Sequence, residues 1–99
     1  MSKIETEIRH TSPVGGNVFE DLGFPTEEAN KLKIKAQLMI QIELWMKESD
    51  LTQAQAAEIL GVTRPRVSDV TRGKMDKFTI DALVDMVEKT GPHVTLQVA

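Results

Sequence analysis

Between Thr52 and Lys74 the chain reads TQAQAAEILGVTRPRVSDVTRGK, and this run leaves few ways to fold. Thr52 with Gln55 fits a capping box, in which the hydroxyl takes the third helical amide and the glutamine reaches back to the cap. The spacing predicts a helix from Gln53 to Leu60 that stops at Gly61. Thr63 opens a second helix, to about Arg72, which stops at Gly73. Two helices joined by so short a turn must cross steeply. Close approach asks for a small residue on the first helix, which Ala57 supplies. The turn asks for a residue tolerant of positive φ, which Gly61 supplies. Ala56, Leu60, Val62, Val67 and Val70 fall where apolar side chains clamp such a pair from inside.

These features together define a helix-turn-helix, and Pro65 agrees with it. With Thr63 as cap, Pro65 is the second helical residue, where the amide has no intrahelical acceptor and its loss costs little. Deeper in the helix it would cost about 3 kcal/mol. At about 100° per residue, Val67 and Val70 mark the buried side. Pro65, Ser68, Asp69 and Arg72 face away from it, flanked by Arg64 and Arg66.

Elsewhere the chain reads as further short helices. Residues 1–16 form a polar arm in which Ile4, Thr6 and Ile8 alternate with charged residues, weak strand character. The domain proper is expected over 17–99. Asn17 caps a helix from Val18 to Leu22, with Phe19, Leu22 and Phe24 as core anchors. Thr26 is the expected cap of a long helix from Glu27 to about Glu48, whose apolar arc is wider than a surface helix needs. Either several elements pack around it or part of it faces another subunit. Thr79 caps a last helix, Ile80 to Lys89, with Ala82, Leu83, Met86 and Val87 inward. In the tail Val94, Leu96 and Val98 alternate with polar residues, a strand signal. Its partner is Lys3 to Ile8, the same tail of a second chain, or both.

Composition narrows the function. Ninety-nine residues without cysteine favour one domain with no disulfide or thiolate chemistry, and a reducing cytoplasm. No leader pattern is present and no apolar run approaches the roughly 20 residues that span a bilayer. His10 and His93 lie near the ends without metal-ligand spacing, and no glycine-rich phosphate loop occurs, so neither an enzyme nor a cofactor is expected. Net charge is −3, yet Thr63 to Phe78 holds five basic residues against two acidic ones, while the first fifty residues hold nine acids against six bases.

The run from Gln53 to Lys74 resembles the helix-turn-helix of the XRE family, whose members are similar to λ-type repressors. Gln53, Ala57, Gly61, Val62, Val67, Ser68 and Gly73 fall on that pattern. The wider frame, NVFEDLGF at Asn17, RVSDV at Arg66 and KFTIDALVDMV at Lys77, is similar to small HigA-type antitoxins found beside RelE-like or HigB-like toxins. The resemblance implies a mostly α, λ-repressor-like bundle of four to five helices, here with an added C-terminal β-strand. It implies a homodimer on double-stranded operator DNA, often repressing its own operon.

On that expectation the outer side of the second helix enters the major groove. Arg64 and Arg66 grip guanine bidentately, with roughly 1–3 kcal/mol of discrimination per good pair. Pro65 offers apolar contact to a thymine methyl, and Ser68 meets a base or phosphate. Asp69 either accepts from a cytosine amino group or orients Arg66 or Arg72. Gln53, Thr63, Arg72, Lys74 and Lys77 are placed for phosphates. Replacing both Arg64 and Arg66 by Ala is expected to abolish DNA binding with thermal stability nearly intact. Val94, Leu96 and Val98 are the expected dimer contacts, aided by the long helix. The rival reading is a protein-interaction module that neutralises a partner with little DNA role, and the acidic front half suits a basic one.

Overall fold

The computed structural model describes residues 17–91. They form five α-helices and one 3₁₀ turn: α1 Val18–Asp21, α2 Thr26–Glu48, α3 Gln53–Leu60, α4 Arg64–Thr71, the 3₁₀ turn Met75–Lys77, and α5 Ile80–Glu88. No strand occurs among the described residues. The two segments expected to be strands, Lys3 to Ile8 and His93 to Val98, lie outside them, and so do the expected dimer contacts Val94, Leu96 and Val98.

α2 is the spine. Its 23 residues make a rod about 34 Å long. α1 packs on its first turns, while α4, the 3₁₀ turn and α5 pack along it, and α3 packs on α4. The core joins Leu38, Met39, Ile42 and Met46 of α2 to Ala56, Ala57 and Leu60 of α3, Val67 and Val70 of α4, Phe78, and Leu83, Met86 and Val87 of α5. Ala82, expected inward, is only half-buried and lies outside that set. Ile40 and Leu44 stay exposed, so the apolar arc of α2 exceeds what these elements cover.

Two expectations near the start are corrected. Leu22 is 69% exposed and Phe24 45%, so neither anchors the core. A single helical turn has room for little inward contact: Asn17 is buried there, while Phe19 is half-buried and lies outside the core set. The buried Asn17 accepts from the Phe19 amide at 3.0 Å and donates to Asn30 Oδ1 at 3.3 Å, tying α1 to α2. Phe24 instead meets Phe19 edge to face, 6.3 Å between centroids. Thr26 is the first residue of α2, not its cap. Extended Pro25 takes the cap position, its carbonyl accepts from Ala29 N–H at 2.8 Å, and the Thr26 hydroxyl donates to Glu20 at 2.9 Å.

Helix ends position the pair that follows. α2 closes with Leu51 N–H bonded to Met46 O and Asp50 N–H to Lys47 O, which forces Asp50 to φ 53°. The same closure ends α3, where Val62 N–H bonds Ala57 O and Gly61 N–H bonds Glu58 O, with Gly61 at φ 70°. A methyl group at Gly61 would also come within 3.2 Å of Lys89 Nζ, which donates to the Leu60 carbonyl.

Asp50 and Gly61 therefore predict opposite outcomes on one measurement. Gly61→Ala should lose about 1–2 kcal/mol in urea unfolding, the cost of a left-handed L-residue. Asp50→Gly should gain about 0.5–1 kcal/mol, because that strain is relieved.

Candidate nucleic-acid interface

α3 and α4 form the helix-turn-helix that the sequence predicts. The Thr52–Gln55 capping box is complete, with Gln55 N–H to Thr52 Oγ1 at 3.1 Å and Thr52 N–H to Gln55 Oε1 at 2.9 Å. Thr63 caps α4 by accepting from Arg66 N–H at 3.4 Å. Pro65 sits in the first turn of α4, where its missing N–H has no intrahelical acceptor to serve.

α4 has one committed side. Val67 is fully buried and Val70 nearly so. Opposite them, Arg64, Pro65 and Arg72 are exposed, Ser68 and Asp69 are half-buried, and exposed Thr63 stands at the cap. Arg64 holds no hydrogen bond or ion pair among the described residues, so its guanidinium is free to reach outward. The Asp69 carboxylate also forms no such pair among the described residues, so it does not orient Arg66 or Arg72 in this structure. The reason lies with Arg66, which is engaged elsewhere.

Arg66 is half-buried. Its Nη1 donates to the Lys77 carbonyl at 2.7 Å, and its Cζ lies 4.1 Å from the centroid of the Phe78 ring. The first is a short charge-assisted hydrogen bond, the second a cation–π contact. The two arginines that the sequence treats alike are therefore distinct: one is free, the other is bound to the segment after α4. Neither the 3₁₀ turn nor the role of Phe78 has a local signal in the sequence. Arg66 and Phe78 are twelve positions apart, a spacing that no local periodicity connects. Only the general affinity of guanidinium for aromatic faces points to the pair.

The remaining candidates lie at the start of α3, at the end of α4 and on the segment after it. Gln53 Nε2 lies 3.5 Å from Thr71 Oγ1, which in turn donates to Ser68 O at 2.9 Å, so the start of α3 is tied to the end of α4. Lys77 is exposed and Lys74 half-buried, both on the segment that Arg66 holds. Arg72, at the C-cap of α4, is exposed. Among the described residues no group of three or more His, Cys, Asp or Glu could hold a metal ion, and no helix is long and apolar enough to cross a membrane.

Residues 18–99 match the model of a family described as a helix-turn-helix domain. No curated protein and no solved structure matches the chain.

The contrast between the arginines corrects the expectation that both can be removed without cost to stability. Arg66→Ala should lose about 1–2 kcal/mol in thermal or urea unfolding, since it removes a charge-assisted bond and a ring contact at a half-exposed site. Arg64→Ala should stay within about 0.5 kcal/mol of the parent. Equal stabilities for the two variants would contradict the geometry.

Proposed function

Since the chain belongs to the helix-turn-helix domain family, and is thus a helix-turn-helix DNA-binding protein, we propose that it reads operator DNA in the major groove through the outer side of α4. On this reading it acts as a homodimer in the cytoplasm, represses transcription, and serves as the antitoxin of a toxin–antitoxin pair, as the likeness to XRE-type HigA antitoxins suggests. Such families are typically non-enzymatic.

The observation that carries the DNA reading is the asymmetry of α4. One side is locked into the core by Val67 and Val70, and the other presents a free guanidinium at its N-terminal end. Arg64 is the lead base reader, able to take guanine O6 and N7 together. Pro65 beside it offers an apolar face to a thymine methyl. Ser68 and Asp69 lie one turn further along, where the Asp69 carboxylate, unpaired among the described residues, can accept from a cytosine amino group. Gln53, Thr63, Arg72, Lys74 and Lys77 surround this track as phosphate contacts, which fix register without reading sequence.

One such helix covers a few base pairs. A two-fold copy set about 34 Å away would double the site. The exposed Ile40 and Leu44 on α2 support a second apolar interface, and Val94, Leu96 and Val98 are the proposed strand contacts. Support for a protein partner comes from α1 and the start of α2. Val18, Leu22 and Phe24 are exposed there among Glu20, Asp21, Glu27 and Glu28, a surface suited to a basic toxin of the RelE or HigB kind.

Selection from a random duplex library, followed by affinity measurement, tests the reading. The wild-type protein should enrich a two-fold symmetric site. Arg64→Ala should weaken binding about tenfold or more and relax preference at one position in each half-site. Lys77→Ala should weaken all sequences alike and reduce the salt slope by about 0.9 for each phosphate that Lys77 neutralises. Enrichment of no sequence at all would contradict it.

A further inference from the structure

We propose that Arg66 serves DNA binding as a positioning residue and not as a base reader: its stacked guanidinium fixes the segment bearing Lys74 and Lys77 against α4, so that phosphate contacts and reading helix meet the duplex in one register. The inference rests on the DNA-binding function proposed above and divides the labour within that same surface.

The segment after α4 is anchored at three points. At its start, Lys74 N–H donates to the Asp69 carbonyl at 3.0 Å. In its middle, Lys35 Nζ reaches from α2 to the Met75 carbonyl at 3.5 Å. At its end, Arg66 holds the Lys77 carbonyl at 2.7 Å and covers the ring of Phe78, which is only 3% exposed. Of the three, Arg66 alone reaches the end of the segment from the first turn of α4. It couples the N-terminal part of the reading helix to the backbone that displays Lys77.

A guanidinium cannot hold that place and grip a guanine edge together. Bidentate contact to a base needs its planar fork aimed into the groove. Leaving for the groove would vacate the Lys77 carbonyl and open the face of a buried ring. Arg64 carries neither obligation. A stacked Arg66 still has unused N–H groups on its outer edge, which can meet a phosphate without leaving the ring. Base preference is thereby assigned to Arg64, while Arg66 contributes affinity that is common to all sequences.

The direct test uses the full chain with ¹³C,¹⁵N-labelled arginine. In the free protein the Arg66 δ-methylene protons should lie upfield of those of Arg64 and Arg72, shifted by the Phe78 ring. On adding the operator duplex selected by the wild-type protein they should stay upfield. Binding is then compared across that duplex and its single base-pair variants. Arg66→Ala and Phe78→Leu should each weaken every sequence by a common factor, on the order of ten, the scale of displaced phosphate contacts. Arg66→Lys should not restore affinity, because an ammonium lacks the flat fork that stacks and bonds at once. Loss of the upfield shift on the operator, or relaxed preference at one base position in Arg66→Ala with the other preferences unchanged, would overturn the inference while leaving DNA binding in place. Failure of the wild-type protein to enrich any duplex would overturn the DNA-binding function and this inference with it. The shift measurement needs no variant, so a failure of Arg66→Ala to fold does not remove the test.

Discussion

The burial of two valines on α4 is the constraint from which the functional surface follows. α4 has eight residues, too few for an isolated helix to persist in water. Its existence depends on packing, and Val67 and Val70 are the side chains it buries. Removing each from water contributes about 1.5–3 kcal/mol. Since those two residues fix which side faces the core, they also fix which side faces out. Arg64 and Pro65 present themselves to solvent because Val67 and Val70 cannot.

Orientation of so short a helix needs more than two apolar contacts, and the protein supplies the rest with cations. Lys89 caps the Leu60 carbonyl at the end of α3, Lys35 reaches Met75 O, and Arg66 bonds Lys77 O. Each ties a backbone carbonyl of the helix-turn-helix or its following segment to a different element. Positive charge is thus used in two ways. Some of it stabilises the frame, and some of it, at Arg64, Arg72 and Lys77, is exposed. A net charge of −3 is compatible with this arrangement, because the field close to a surface is set by the charges near it and not by the total.

Much of the fold is legible in the sequence because its signals are local. Thr52, Thr63 and Thr79 cap the helices that the sequence assigns to them, and Gly61 sits at the positive φ that the turn requires. Helix periodicity identifies Val67, Val70, Leu83, Met86 and Val87 as inward. The failures arise where a side chain's partners or its element's length are not set by its immediate neighbours. Thr26 looks like a cap until Glu20 draws its hydroxyl away and Pro25 starts the helix one residue early. Leu22 and Phe24 look like core residues until the one-turn length of α1 leaves them outside. At the candidate site, the helix period turns Arg64, Pro65 and Arg72 outward, and they are exposed. Arg66 looks like Arg64's equal, because nothing near it in the chain announces that Phe78 will lie beneath its guanidinium.

If α4 faces the major groove through Arg64, methylation of guanine N7 should interfere with binding. N7 lies in the major groove, so a methyl group there blocks the bidentate contact without changing the minor groove. Methylation of one guanine in each half-site should block binding by the wild-type protein, and Arg64→Ala should become indifferent to that same methyl group. Wild-type binding that tolerates N7 methylation at every guanine of the site would contradict it.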